Sequence, residues 1–404
     1  MNVYMTRQPI FGRYGNVVAY ELLYRGSSEK NRAASVPEDE SDEQGYTNDL
    51  FGLDMKSILS GAKLYINFTD ELIIQGAPRR FSPEVLDVGI SAKQLKNAGI
   101  LETVKALKES GYLIVLNDLD YTEENKELLM LSDIAVLDIK APQQSLEFAS
   151  AMCRSLDKVI FAKNVNTNVD FEYARKLGCT YMQGYFYTRS SVSTSRSAQP
   201  LPVNLVQAMQ LMAQPDPEIN DIVDVMSRDA VLCQKILKLI NSVYFGVSNK
   251  VSSINQAILI LGLDYLREWV YLMGMQKISQ NDNTEVMRLS LLIAKFCRGL
   301  SELIPETADN GDAFYLMGLL SMIVLSSDRA LAQALDEFPL ANEIKKGLLR
   351  CGGTYSDVFE MALSYVDGRW DSFNEAAAKY GLDTNKTNDI FVHCMQEIGK
   401  LNMS

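Results

Sequence analysis

The sequence has almost no histidine. His393 is the single one in 404 residues, so no site that needs two histidines, such as an H-E-x-x-H zinc centre, can form within one chain. A lone histidine this close to the chain end reads as a surface or packing residue. The six cysteines, Cys153, Cys179, Cys233, Cys297, Cys351 and Cys394, are scattered without a C-x-x-C pair. They read as reduced, mostly packed thiols and not as a zinc knuckle. Excess positive charge is missing as well: 39 Lys and Arg face 51 Asp and Glu, for a formal net charge of −12. Broad attraction to nucleic acid or to an anionic membrane is thereby disfavoured, while a local basic pocket stays open. The longest apolar region, Tyr315 to Leu325, is interrupted by Gly318 and Ser321 and falls well short of the roughly 20 residues of a membrane span. The opening Met1-Asn2-Val3-Tyr4-Met5-Thr6-Arg7 has no apolar signal-peptide core. A cytoplasmic protein without a membrane span is expected.

A hydrophobic fraction of 47% over this length predicts a globular chain of two or three domains. In the first half, strand-like runs (Val17–Leu23, Leu64–Asn67, Val85–Ile90, Leu113–Leu116, Ile134–Leu137, Val159–Ala162) alternate with helical patterns such as Leu101–Glu109 and Glu123–Leu131. That alternation predicts a parallel α/β sheet, and about 200 residues suits a closed βα barrel. Ser27 to Asn48, polar and acidic, reads as a solvated loop. Thr188 to Pro202, rich in Ser with Pro200 and Pro202, reads as a junction. Beyond it the pattern is helical throughout. It includes a run from Ala230 to Tyr244 preceded by Asp229, and a capping-box start at Ser253 and Gln256. The expected organisation is a barrel over 1–190, a linker over 191–202 and an all-helical domain over 203–404 that includes a C-terminal extension.

Candidate chemistry sits at the strand ends. Glu21 lies in the apolar run Val17–Leu23, where a carboxylate is costly to bury unless something pairs with it. At the rim of a barrel it would face a metal or another cation; the alternative is an ordinary ion pair with a nearby Lys or Arg. Arg25, four residues on, is placed to meet an anion. Asn67, Asp87, Asn117, Asp118, Asp138, Lys163 and Asn166 lie within or just after other predicted strands. Residues at the C-terminal ends of barrel strands converge on one mouth, so several in one register suggest a pocket, although each taken singly reads as a cap or turn residue.

The order Glu21-Leu22-Leu23, Asn67-Phe68-Thr69, Asp87, Asn117-Asp118, Asp138 and Gln183-Gly184-Tyr185 resembles the EAL domain, which hydrolyses the bacterial messenger cyclic di-GMP with two divalent metals. The runs Arg7-Gln8-Pro9-Ile10-Phe11 and Tyr20-Glu21-Leu22-Leu23-Tyr24-Arg25 resemble the branch joined to an HDOD domain. In the second half, Leu201-Pro202, Asp229, the run Lys235 to Ser242, Ser253 to Ile258 and Leu261-Gly262-Leu263 are similar to HDOD itself, an all-helical relative of HD phosphohydrolases that typically lacks their metal ligands.

The resemblance implies metal ligands at Glu21, Asn67, Asp87, Asn117, Asp118 and Asp138, and nucleotide contacts from Gln8, Arg25, Gln183 and Tyr185. The departures are as informative. Asn117-Asp118 replaces paired aspartates, Val136 stands where the family has a lysine, Asp87 is shorter than the family's glutamate, and Ala162-Lys163-Asn164-Val165-Asn166 lacks both glutamates of the corresponding motif. Two Mg²⁺ ions about 4 Å apart need several carboxylates to offset their repulsion. Here at least three charges are lost and Lys163 adds a positive one. The expectation is a non-catalytic signalling protein, a nucleotide sensor or an interaction scaffold, with no cofactor. Its partners would be cyclic di-GMP, a signalling protein met through the HDOD half, and a second copy met through the barrel. The alternative is a weak cyclic di-GMP phosphodiesterase using Mg²⁺ or Mn²⁺.

Overall fold

The computed structural model describes residues 3–26, 59, 61–122, 125–188, 202–212, 217–241, 251–279, 284–321, 335, 338 and 340–400. The acidic loop expected over 27–48 and the linker over 191–202 lie outside them, apart from Pro202 at the linker's end.

Eight strands close into a barrel in chain order: β1 (Val3–Gly12), β2 (Val17–Gly26), β3 (Lys63–Asn67), β4 (Leu86–Ser91), β5 (Leu113–Asn117), β6 (Ile134–Asp138), β7 (Val159–Lys163) and β8 (Tyr181–Met182). β1 runs antiparallel to both of its neighbours, β2 and β8, and the remaining pairs are parallel. Six strands lie where the apolar runs predicted them. β1 and β8 escaped notice: β1 carries Arg7, Gln8 and Pro9 in its middle, and β8 is two residues long. At its lower level the barrel is packed by one buried cluster of Ile10, Ala19, Tyr65, Val115, Ile134 and Phe161.

Helices α1 (Asp70–Ile74), α2 (Ala98–Glu109), α3 (Lys126–Leu131), α4 (Gln143–Ser155) and α5 (Asn168–Lys176) follow β3 to β7. Their apolar spacing explains their docking. α2 buries Ile100, Val104 and Leu107, and α4 buries Leu146, Ala149, Met152 and Cys153, each set three or four residues apart. α5 opens with a complete capping box: Thr167 accepts from the Asp170 amide while the Asp170 carboxylate accepts from the Thr167 amide.

The second half is helical, as its patterning predicts: α6 (Val203–Met212), α7 (Ile219–Ser227), α8 (Ala230–Ile240), α9 (Ile254–Leu261), α10 (Leu263–Ser279), α11 (Thr284–Glu302), α12 (Gly311–Leu319), α13 (Asn342–Leu348), α14 (Thr354–Val366), α15 (Trp370–Lys379) and α16 (Thr384–Lys400). Leu205, Met209, Ile222, Met226, Ile236 and Ile240 are buried on the facing stripes of α6 to α8. Asp229 caps α8 by accepting from the Val231 and Leu232 amides. Ser253 caps α9 through the Gln256 amide. The Asn241 side chain then exchanges two hydrogen bonds with the Val251 backbone, at 2.7 and 2.8 Å.

One expectation of domain organisation needs correcting. The tail does not belong with the helical half: contacts divide the chain into Met1–Tyr187 together with Ser364–Lys400, and Thr188–Leu363. The last turn of α14, with α15 and α16, completes the barrel unit. Tyr4 of β1 stacks on Trp370 with ring centres 5.7 Å apart, and Tyr365 and Phe373 close around it. Thr6 donates to the Val366 carbonyl at 3.1 Å. Tyr4 and Thr6 share a face of β1 with Gln8, which lines the mouth, and Ile10, which lies in the barrel cluster, and this tail covers that face beyond the mouth.

Candidate functional site

Glu21 is the centre of the mouth. It is 2% exposed, and both carboxylate oxygens are engaged. Oε1 accepts from the Lys163 ammonium at 2.7 Å and from the Asn67 amide at 2.8 Å. Oε2 accepts from the Gln183 amide at 2.7 Å. The register explains the convergence: Gln8 lies opposite Glu21, Glu21 opposite Tyr65, and Asp138 opposite Lys163. Residues of β2, β3 and β7 and the turn after β8 thus meet on one carboxylate. Of the two readings that Glu21 allowed, the structure shows the ion pair, and its cation is Lys163.

Lys163 also lies near the rings of Tyr65 (5.3 Å) and Phe161 (5.7 Å). Burial works against its charge, but Tyr65, Glu21 and Asp118 outweigh that and hold its pKa above the ordinary lysine value. Beside it, Tyr65 donates toward Asn67 Oδ1 at 2.7 Å and toward Asn117 Oδ1 at 2.9 Å, and the Asn117 amide donates to Asn67 Oδ1 at 2.9 Å. Burial pushes the Tyr65 hydroxyl up to about 12, so it stays protonated and donating at neutral pH. The β4 position level with Asn67 is Gly89. A Cβ there would stand 2.3 Å from Asn67 Oδ1 and 2.7 Å from the Tyr65 ring; the mouth has closed over the place where a fourth strand would present a side chain.

Around this knot lies a cavity of about 1460 Å³, with Gln8, Asn67, Asp118, Val136, Asp138 and Lys163 among its walls. Asp118 is exposed and adopts a left-handed backbone at φ +52°. Asp138 is exposed and accepts from the Lys140 amide at 3.0 Å. Val136 is half-buried and its carbonyl takes the Tyr121 hydroxyl. Asn166 serves the backbone, accepting from the Tyr185 amide at 3.1 Å. Gly184, between Gln183 and Tyr185, has φ +144°, and a Cβ would meet the Val165 carbonyl at 2.1 Å. Only glycine lets this turn deliver Gln183 to Glu21.

Three expected site residues behave otherwise. Asp87 is not at the mouth. It is the second residue of β4, level with Tyr65, and side chains on one face of a strand are spaced two residues apart, so it sits a full level below Gly89. There it pairs with Lys63 at 3.0 Å beside a small lower cavity of about 90 Å³, and burial holds its carboxyl above the ordinary range despite Lys63. Arg25, 5% exposed, donates to Asp371 of α15 at 2.9 Å and lies beside the stacked Tyr4 and Trp370 rings, 5.6 and 5.7 Å from their centres. Tyr185 hydrogen-bonds Asp367; burial first and this carboxylate second raise its pKa well above the ordinary value.

Tyr65 and Gly89 were readable from alternation, since each shares a face with a residue already singled out. Trp370 and Asp371 gave no such signal, being more than 340 residues from their partners on β1 and β2, and Asp367 lies 182 residues from Tyr185. Among the described residues, no three of His, Cys, Asp and Glu gather in a metal-binding cluster, and no helix is long and apolar enough to cross a membrane.

Set against known proteins, residues 199–327 match the HDOD domain model. The closed barrel precedes that matched segment in the chain. It is 25% identical to the uncharacterized protein YuxH of Bacillus subtilis, over 98% of this chain and 98% of that one. It is also 25% identical to the cyclic di-GMP phosphodiesterase CdgJ of Vibrio cholerae, over 98% of this chain and 93% of that one. Among solved structures it is similar to the EAL enzyme Bd1971 in its cAMP- and cyclic-di-GMP-bound form (TM-score 0.38, 11% identity, 46% of this chain and 61% of that one). It is likewise similar to the PaMucR phosphodiesterase in complex with c-di-GMP (TM-score 0.36, 16% identity, 46% and 90%).

Proposed function

We propose that this chain is a non-catalytic signalling protein of the cyclic di-GMP type, cytoplasmic, whose barrel has exchanged its metal centre for a fixed lysine. The observation that carries the reading is the Lys163 ammonium 2.7 Å from Glu21. An ammonium held above its ordinary pKa occupies the electrostatic role of a divalent ion and repels one that approaches. The donor set does not fit a pair of metals. Both oxygens of Glu21 are taken, Gly89 offers no donor, Asn117 is neutral with its oxygen accepting from Tyr65, and Asp87 faces the lower level. Asp118 and Asp138 are left, too few carboxylates to hold two divalent ions about 4 Å apart.

The barrel then serves as a nucleotide sensor or an interaction scaffold, with a signalling protein met through the HDOD half and a second copy met through the barrel. With Mg²⁺ or Mn²⁺ in excess, the purified protein should show no turnover of cyclic di-GMP above buffer. Robust turnover that disappears in Glu21→Ala would overturn the proposal. A second reading, weak metal-dependent hydrolysis, is favoured by the end-to-end similarity to CdgJ, and the same assay decides between the two.

A further inference from the structure

Arg25 is a buried cation of the mouth wall that lies outside the Glu21 knot. Its guanidinium has five N–H donors in a planar fork suited to a phosphate or a carboxylate. One of them reaches Asp371, while Nε is buried without a hydrogen-bond partner among the described residues. The guanidinium lies beside the stacked Tyr4 and Trp370 rings, 5.6 and 5.7 Å from their centres, so packing restricts it before any ligand arrives. The Asp371 side chain is 48% exposed against 4% for Arg25. The acid can therefore swing into water while the base stays in place. Asp367, four residues earlier, differs: it is gripped by Arg369 at 2.9 Å as well as by Tyr185, which fixes the start of α15.

We infer that Asp371 is a built-in substitute for a ligand phosphate, set on a tail anchored at Asp367, and that an anionic nucleotide binds this mouth only by displacing Asp371 from Arg25. The inference rests on the reading of the mouth as a nucleotide-type site and adds the residue that sets its affinity. The tail then reports occupancy, since the first turn of α15 carries both Trp370 and Asp371.

The test uses the full chain, cyclic di-GMP as the probe, and EDTA so that binding depends on protein groups alone. By calorimetry Asp371→Asn should bind about tenfold more tightly than wild type, the factor that about 1.4 kcal/mol of lost competition is worth. Arg25→Ala in the Asp371→Asn background should erase the gain. Asp371→Ala provides a second variant, and its thermal unfolding checks that α15 is retained. In wild type, backbone amides over 367–379 should exchange faster when the probe is bound. Equal affinities for wild type and both Asp371 variants, or no binding by any of them, would overturn the inference and leave Asp371 as an ordinary structural partner of Arg25. Turnover of the probe with Mn²⁺ would instead refute the non-catalytic reading and leave the affinity ratio as the separate test.

Discussion

At the scale of single residues, the decisive pair is Glu21 and Lys163. A buried carboxylate that loses its cation is left with an uncompensated charge, and breaking such a pair is strongly destabilising. Lys163→Gln should therefore lower stability by about 3 kcal/mol, read as a shift of the urea midpoint at unchanged slope. The pH dependence has a definite sign. The folded pKa of Lys163 is raised, so its contribution is fully present below the unfolded lysine value of about 10.4 and is lost as pH rises through the higher folded value. The stability gap between wild type and Lys163→Gln should stay constant from neutral pH to about 10 and shrink only beyond it. A gap that closes already below pH 9 would mean that another group carries the effect. His393 has no part in this: its side chain is 71% exposed on α16, beside Glu397, as a lone histidine near the chain end suggested.

At the scale of elements, the mouth depends on how closely β3 and β4 approach. Asn67 and the Tyr65 ring occupy the space over Gly89. Gly89→Ala should cost about 1 to 3 kcal/mol, the usual penalty of overpacking a well-filled core, and should perturb the Asn67 and Asn117 side-chain amide signals in NMR. An unchanged spectrum and melting temperature would show that the strands have room to separate. The strands β2 to β7 were legible because a buried strand is written as a short β-branched run. The level of Asp87 was not legible. A run such as Val85-Leu86-Asp87-Val88 shows that an acid is embedded but not at which height along the barrel, because that depends on the stagger between neighbouring strands.

At the scale of the whole molecule, the change of composition at Thr188 marks one boundary of the barrel unit but not the second, at Ser364. The residues that close the barrel unit over β1 arrive after the helical half, and Tyr4, Thr6 and Arg25 all find partners in residues 364–374. A fragment of residues 1–190 should therefore be less stable than the same barrel carrying 364–400 on a flexible linker, by a margin readable as a melting temperature lower by about 10 °C or more, since burial of several aromatic side chains is lost. Equal melting temperatures would show that the tail is dispensable.

The sequence by itself determined the two architectures, the strands β2 to β7 and the polar residues at the strand ends, because periodicity and residue type are local properties. Only the tertiary structure decided that Lys163 completes Glu21, that Gly89 leaves no donor at the mouth, that Asp87 belongs to the lower level, and that Asp371 sits on Arg25. Each of these is a meeting of residues from different strands or from opposite ends of the chain, set by barrel closure and packing, and no single stretch encodes it.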